Sequence, residues 1–154
     1  MGAQNQMSLA YERCLAAKTD APEAEAGIGI DVVFTTVEAT LAALRKAGDL
    51  ASRLNARIHL VVAQVVPYPT PLASPPVLVD FNERRFHAIA GESSVETTVL
   101  VYLCRDSWQV LSTVLRPHSL VVVGGRRRWW PTAEERLARR LRRSKHEVIF
   151  TETE

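Results

Sequence analysis

Apolar residues follow two different spacings along the chain. Short runs rich in β-branched residues are typical of strands buried on both faces of a parallel sheet. These runs lie at 28–37, 57–66, 95–104, 120–123 and 147–151. Between them, apolar residues recur every three or four positions, which predicts helices with one buried face. The predicted helices cover 38–54, 77–90, 106–115 and 132–143.

Local signals mark the ends of several predicted helices. Asn55 follows the first helix and is a plausible stop for it. Asp106 is placed to cap the third helix, and Thr132 with Glu135 three residues later matches a capping box at the start of the fourth. The first helix is expected to bury one face, made of Leu41, Leu44, Ala47, Ala51 and Leu54.

The alternation of strands and helices predicts the fold class. Strands separated by helices form a parallel sheet with right-handed crossovers. We therefore expect an α/β fold, a doubly wound five-stranded parallel sheet with helices on both faces. In such folds ligands bind beyond the carboxyl ends of the strands, where the strand order reverses. Four segments are expected at that edge: 35–38, 66–76, 103–106 and 124–132.

Length and composition narrow the class of protein. The chain has 154 residues, of which 47% are apolar, as expected for one folded domain. No apolar run approaches the roughly 20 residues of a membrane span, and the start of the chain has no signal-peptide pattern. We therefore expect a cytoplasmic protein in which Cys14 and Cys104 are reduced thiols. Residues 1–27 are predicted to be an N-terminal appendage and linker, and 28–154 the α/β domain.

The net charge of +2 hides an uneven distribution, because the first third of the chain leans acidic and the stretch 126–145 is rich in arginine. No nucleophile, base and oxyanion-binding group come together in the sequence, so we expect no enzymatic activity and no catalytic residue. The histidines lack metal-ligand spacing, so no metal site is expected. They are His59, His87, His118 and His146.

Three pieces of the sequence together resemble the universal stress protein family. They are Thr-Thr-Val-Glu-Ala-Thr at 35–40, Asn-Ala-Arg-Ile-His-Leu at 55–60 and Ser-Leu-Val-Val-Val-Gly at 119–124. The resemblance covers about residues 28–151. It implies a fold related to adenine-nucleotide-binding α/β domains, dimerisation through the last strand, and a role in stress response. Domains of this family are also found attached to transporters and kinases.

The chain departs from the nucleotide-binding members of that family. Those members have an Asp where Thr35 stands, and a glycine where Arg127 stands. Gly124 matches the first glycine of their phosphate loop, but no later Gly-Ser or Gly-Thr follows. Binding of ATP or AMP would therefore need a modified phosphate site, for which the candidate residues are Thr35, Thr36, Val66, Gly124, Gly125, Arg126 and Arg127.

Two surfaces are candidates for interaction with other molecules. Arg128, Trp129 and Trp130 are predicted to form a docking surface, since exposed Trp beside Arg is typical of interface anchors. The alternative is a solvated basic turn with one Trp packed on the rim of the sheet. The last strand is expected at a sheet edge, where its apolar residues would pair with a second copy. These residues are Val148, Ile149 and Phe150.

The arginines of the last predicted helix also allow more than one interpretation. They are Arg136, Arg139, Arg140, Arg142 and Arg143. We favour a solvated helix face whose charge Glu134 and Glu135 reduce by pairing. The alternatives are a surface for an anionic membrane or for nucleic acid, and nucleic acid is the weaker of these.

Taken together, the sequence predicts a non-enzymatic domain similar to universal stress proteins, acting in stress response or regulation through dimerisation and partner binding. One alternative is an adenine-nucleotide-binding protein with a modified phosphate site. The other is a regulatory module associated with a transporter or kinase. No cofactor is expected with certainty, and ATP or AMP would be the ligand under the first alternative.

Overall fold

The computed structural model of the chain describes residues 28–66, 78–91 and 95–153. The predicted appendage 1–27, with Cys14, and the proline-rich segment 67–76 lie outside these residues. The elements are β1 (Gly29–Val33), α1 (Val37–Leu54), β2 (Arg57–Val65), α2 (Leu78–Gly91), β3 (Thr97–Cys104), α3 (Ser107–Val114), β4 (Leu120–Gly125), α4 (Ala133–Arg143) and β5 (Glu147–Glu152).

All five strands are parallel and form one sheet in the order β3-β2-β1-β4-β5. The predicted doubly wound fold is therefore confirmed. The chain moves outward in one direction from β1 to β2 and β3, and in the other from β4 to β5. The strand order consequently reverses between β1 and β4, which lie side by side in the middle of the sheet.

Helices cover both faces of the sheet and create two apolar cores. Helices α1 and α2 pack on one face, with Ile30, Leu60 and Val122 at the centre of that core. Helices α3 and α4 pack on the other face, around Val123 and Leu141. The central strands β1, β2 and β4 are the most buried, which explains their nearly continuous apolar sequences.

The first strand is shorter than predicted. The sequence suggested a strand over 28–37, but β1 ends at Val33. The reason is that Thr36 caps helix α1: its Oγ1 accepts a hydrogen bond from Ala39 N–H at 3.3 Å. A β-branched threonine favours a strand by propensity, yet its hydroxyl favours the start of a helix, and the local hydrogen bond prevails here.

Helix α1 packs on the sheet mainly through small side chains. Ala43, Ala47 and Ala51 are fully buried, so the helix backbone lies close to the strands. Leu54 was predicted on this buried face, but it is 46% exposed. The buried face of α1 ends one turn earlier, at Ala51. Asn55 ends the helix as predicted, in a left-handed conformation with φ of 50°.

Two further predictions concern Cys104 and membrane helices. Cys104 lies in β3 as a buried thiol, with its Sγ 3.5 Å from the carbonyl oxygen of Gln64. Over the described part of the chain, none of the helices combines the length and the apolar character needed to cross a bilayer.

Candidate functional site

The carboxyl ends of β1 and β4 bring most of the predicted site residues together. Two loops leave the sheet there: the β1–α1 loop, residues 34–36, and the β4–α4 loop, residues 126–132. Together with the last two residues of β4, they carry the predicted ligand residues at the point where strand order reverses, which is the usual ligand position in this class of fold. These residues are Thr35, Thr36, Gly124, Gly125, Arg126 and Arg127.

Hydrogen bonds within the protein already engage the β1–α1 loop. Thr35 Oγ1 donates to the carbonyl oxygen of Gly124 at 3.1 Å, and Thr35 N–H donates to Thr40 Oγ1 at 3.2 Å. Thr36 Oγ1 accepts from Ala39 as the cap of α1. The hydroxyls of both threonines in the β1–α1 loop are therefore hydrogen-bonded within the protein.

Gly124 and Gly125 make room for neighbouring parts of the protein. A Cβ atom at Gly124 would overlap with the backbone carbonyl of Ala39, in the first turn of α1. At Gly125 a Cβ atom would lie 2.6 Å from Glu134 Cβ and 2.9 Å from Phe150 Cζ, distances that real Cβ atoms do not tolerate. Neither glycine has a positive φ. Close packing accounts for both glycines without a phosphate.

The amino end of α4 also binds groups of its own chain. Thr132 Oγ1 accepts from Glu135 N–H at 3.2 Å, and Glu135 Oε2 accepts from Thr132 N–H at 3.2 Å. The predicted capping box is thus confirmed. With Glu134, two carboxylates lie in the first turn. A helix N-terminus attracts anions, and here the side chain of Glu135 fills that role.

The arginines of the β4–α4 loop differ in their contacts. Arg126 Nη2 donates to Glu38 Oε2 at 2.9 Å, linking the loop to α1. The Arg127 guanidinium carbon lies 5.9 Å from the ring centre of Phe150. Arg128 is exposed, and Trp129 and Trp130 are 93% and 78% exposed. Neither tryptophan packs on the rim of the sheet, so the alternative with one packed Trp does not describe this loop.

Val66 follows β2 and has both backbone groups engaged. Its N–H donates to Cys104 O at 2.8 Å, and its carbonyl accepts from Arg105 Nη1 at 2.7 Å. Its side chain is buried. Of the predicted ligand residues, Val66 therefore belongs to a separate part of the rim, at the ends of β2 and β3.

Comparison with known proteins was made at the level of sequence and of structure. No family model and no curated protein sequence matches the chain. Among solved structures, a universal stress protein in complex with cAMP superposes with a TM-score of 0.53 at 20% identity, covering 84% of this chain and 100% of its own. A universal stress protein family member from Burkholderia pseudomallei gives 0.53 at 21% identity, covering 82% and 97%.

The chain has the fold of the universal stress proteins. The resemblance inferred from the three sequence pieces is thereby confirmed for the fold. At 20–21% identity this likeness shows the fold alone.

The segment 35–38 was expected at this edge, but the contacts of the first turn of α1 with the end of β4 and with Arg126 were not predicted. Glu38 pairs with Arg126, and Ala39 faces Gly124, although these partners lie more than 80 residues apart in the chain. No local signal marks either contact. Glu38 is explained locally by its place in the first turn of a helix, and Arg126 by its place in a polar loop after a strand, so neither residue indicates the other as its partner.

Other polar clusters lie away from the two loops. Asp31 and His59 form a pair at 3.4 Å on neighbouring strands, and Ser119 Oγ lies 3.1 Å from His146 Nδ1 at the amino ends of β4 and β5. Within residues 28–66, 78–91 and 95–153, no three His, Cys, Asp or Glu side chains converge as they would around a metal ion.

Proposed function

We propose that the protein is a non-enzymatic binding domain with the universal stress protein fold, acting in the cytoplasm in stress response or regulation. It would act by dimerising and by binding a partner at the β4–α4 loop. The observation that carries this proposal is the contrast between the two central loops. Thr35 and Gly124 are engaged within the protein, whereas Arg128, Trp129 and Trp130 are exposed.

The exposed tryptophans support a binding role for the β4–α4 loop. Neither Trp129 nor Trp130 belongs to an apolar core of the described residues, so the fold gains little from them. Trp and Arg are enriched among the residues that dominate binding energy at interfaces. An adjacent pair of exposed indoles flanked by arginine is therefore best accounted for by burial against a partner.

Dimerisation through β5 is supported by the direction of its backbone groups. Glu147 N–H donates to Ser119 O at 3.1 Å, and Thr153 N–H donates to Gly125 O at 3.0 Å, so the odd-numbered residues face β4. Because successive residues of a strand face opposite sides, Val148, Phe150 and Glu152 direct their backbone groups to the open edge. An open strand edge is a template for pairing with another chain.

One outward group of β5 is already engaged. Arg142 Nη2 donates to the carbonyl of Val148 at 3.3 Å, which leaves Phe150 and Glu152 as the residues that would pair with a second copy. Ile149 packs toward α1, while Val148 and Phe150 pack toward α4. All three are half-buried and would lose their remaining exposed apolar surface in a dimer.

Sedimentation of a pair of variants at Glu152 tests the dimer. Glu152→Pro removes an outward N–H without removing a bond to β4, whereas Glu152→Ala keeps that N–H. We expect the wild type and Glu152→Ala to sediment as dimers at high micromolar concentration, and Glu152→Pro to dissociate at least partly. A monomeric wild type would contradict the dimer proposal.

Adenine-nucleotide binding is the second candidate, favoured by the cAMP complex of a protein with this fold. The ligand would lie against Thr35, Thr36, Gly124, Gly125, Arg126 and Arg127, with Val66 at the neighbouring strand end. It would have to displace the bond from Thr35 to Gly124 and approach the carboxylates at the start of α4. Titration calorimetry with ATP, AMP and cAMP separates the two candidates: our proposal predicts no heat at millimolar ligand, and saturable heat would favour the second.

A further inference from the structure

Several exposed arginines lie close to the two exposed tryptophans along the chain. Arg128 lies in the β4–α4 loop, and Arg136, Arg139 and Arg143 lie on α4; all four are exposed. Their side chains form no ion pair or hydrogen bond with the part of the chain that the structure describes. Other arginines of α4 do contact the protein: the Arg140 guanidinium carbon lies 4.1 Å from the ring centre of Trp108, and Arg142 Nη2 donates to the carbonyl of Val148.

The three helical arginines lie on one face of α4. Their spacing of three and four residues places them together, opposite Ala138 and Leu141, which are buried against the sheet. Since a helix rises about 1.5 Å per residue, Arg136 and Arg143 are separated by about 10 Å along the axis. The arginines thus form a row on the solvent side of α4 that begins shortly after Trp130.

No ion pair joins a carboxylate to this row within residues 28–66, 78–91 and 95–153. Glu134 and Glu135 were expected to pair with the arginines, but both are half-buried in the first turn. Glu135 binds Thr132, and Glu38 binds Arg126 in the loop. We call Arg128, Trp129, Trp130, Arg136, Arg139 and Arg143 the arginine–tryptophan surface; its arginines form no ion pair with the described residues, and both of its indoles are exposed.

We propose that the arginine–tryptophan surface docks on an anionic phospholipid membrane, an inference that names the partner for the binding role proposed above. Trp side chains favour the headgroup region of a bilayer, where the ring is buried and the N–H stays solvated. Arginines near a surface that contains anionic lipid are attracted to its phosphates. Together the two signals give reversible peripheral binding.

The exposure of the tryptophans favours a bilayer over nucleic acid. Proteins that bind single strands stack bases on aromatic rings lining a charged groove, and such rings are held in place by neighbouring residues. With 93% of its surface exposed, Trp129 is not held by its neighbours. A fluid interface needs no fixed ring orientation, and its attraction for arginine extends over about a Debye length, roughly 8–10 Å.

Vesicle binding by the full chain tests this proposal. We expect co-sedimentation with vesicles of phosphatidylcholine mixed with phosphatidylglycerol, much weaker binding to phosphatidylcholine alone, and loss of binding at high salt. Trp129→Ala with Trp130→Ala should weaken partitioning by about tenfold or more. Arg136→Gln, Arg139→Gln and Arg143→Gln together should weaken it by about a hundredfold.

The matched control removes equal charge elsewhere. The control substitutions are Arg45→Gln, Lys46→Gln and Arg53→Gln, at exposed residues of α1 on the opposite face of the sheet. Because salt screens charges that lie far from the bilayer, these substitutions should leave partitioning within about twofold of the wild type. Thermal unfolding of each variant checks that it is folded. Tryptophan emission gives a second readout, because it should shift to the blue on mixed vesicles and fail to shift when Trp108 alone remains.

Three outcomes would overturn the membrane proposal: no binding of the wild type to mixed vesicles, equal binding to neutral vesicles, or loss of binding in the α1 control comparable to that in the α4 variant. A single-stranded oligonucleotide is titrated in parallel. Saturable binding to it without vesicle binding would assign the surface to nucleic acid and leave the binding role intact. If the protein forms a dimer but does not bind vesicles, the membrane proposal is rejected and the proposed dimerisation stands.

Discussion

The β1–α1 and β4–α4 loops leave adjacent strands at the same edge of the sheet, yet they differ in how their side chains are used. In the first loop, the hydroxyls of Thr35 and Thr36 are bonded within the protein. In the second, Arg128, Trp129 and Trp130 extend into solvent. At the edge of the sheet where this class of fold usually binds ligands, the β1–α1 loop is thus engaged within the protein, and the β4–α4 loop presents an exposed surface.

The difference follows from side-chain chemistry. A threonine hydroxyl is short enough to reach a neighbouring backbone group and can both donate and accept, so it satisfies polar atoms at a helix start or a strand end. Arginine and tryptophan are too large for the space beside Gly124 and Gly125, which α1, Glu134 and Phe150 occupy. Stability should therefore depend on the first loop and its contacts, and binding on the second.

The largest expected effect on stability comes from filling the space beside Gly124, where α1 approaches β4 closely. Gly124→Ala would place a Cβ atom against the Ala39 carbonyl, and because this is backbone in a buried turn, relief requires α1 to shift. We expect a loss of about 3 kcal/mol in the free energy of unfolding, measured by urea denaturation. Gly91→Ala is the control, since no atom lies within 4 Å of its added Cβ; an equal loss there would rule out the packing explanation.

A smaller effect is expected from the bond between the β1–α1 loop and the end of β4. Thr35→Val keeps the shape of the side chain but leaves the buried Gly124 carbonyl without the hydroxyl donor. Removing one partner of a buried hydrogen bond destabilises by about 1–3 kcal/mol. Thr35→Ser retains the hydroxyl and should recover most of that loss. Equal stability of the Val and Ser variants in urea would show that this bond does not contribute to the free energy of unfolding.

The smallest effect on stability is expected in the exposed loop. Trp129→Ala with Trp130→Ala removes two large side chains that pack on nothing in the described cores, so the free energy of unfolding should change by about 0.5 kcal/mol or less. A thermal melt measures it. A loss comparable to that of Gly124→Ala would mean that the indoles stabilise the fold and would remove the contrast between the loops.

Much of the fold was predictable from local signals. The capping box at Thr132 and the stop at Asn55 depend on residues within a few positions of each other, and both are confirmed. The end of β1 was predicted wrongly because Thr36 favours a strand by propensity and a helix start by its hydroxyl. A single sequence does not say which preference prevails at such a position.

The candidate site was less predictable, because its contacts join distant parts of the chain. Gly124 was singled out for its match to a phosphate loop, but its packing against Ala39 depends on how α1 crosses the sheet. The pairing of Arg126 with Glu38 likewise spans 88 residues. The exposure of Trp129 was left open by the sequence, since an apolar residue after a strand is compatible with a packed or a solvated loop.

We propose that the protein's own groups occupy the sheet edge between β1 and β4, so that the β4–α4 loop is left as the binding surface. The most direct test is an amide NMR spectrum of the full chain titrated with cAMP and ATP. We predict that the amide signals of Thr35, Gly124 and Gly125 stay unchanged at millimolar ligand. Saturable shifts of these three signals would contradict the account, because they would place a nucleotide where the structure has hydrogen bonds and packed backbone.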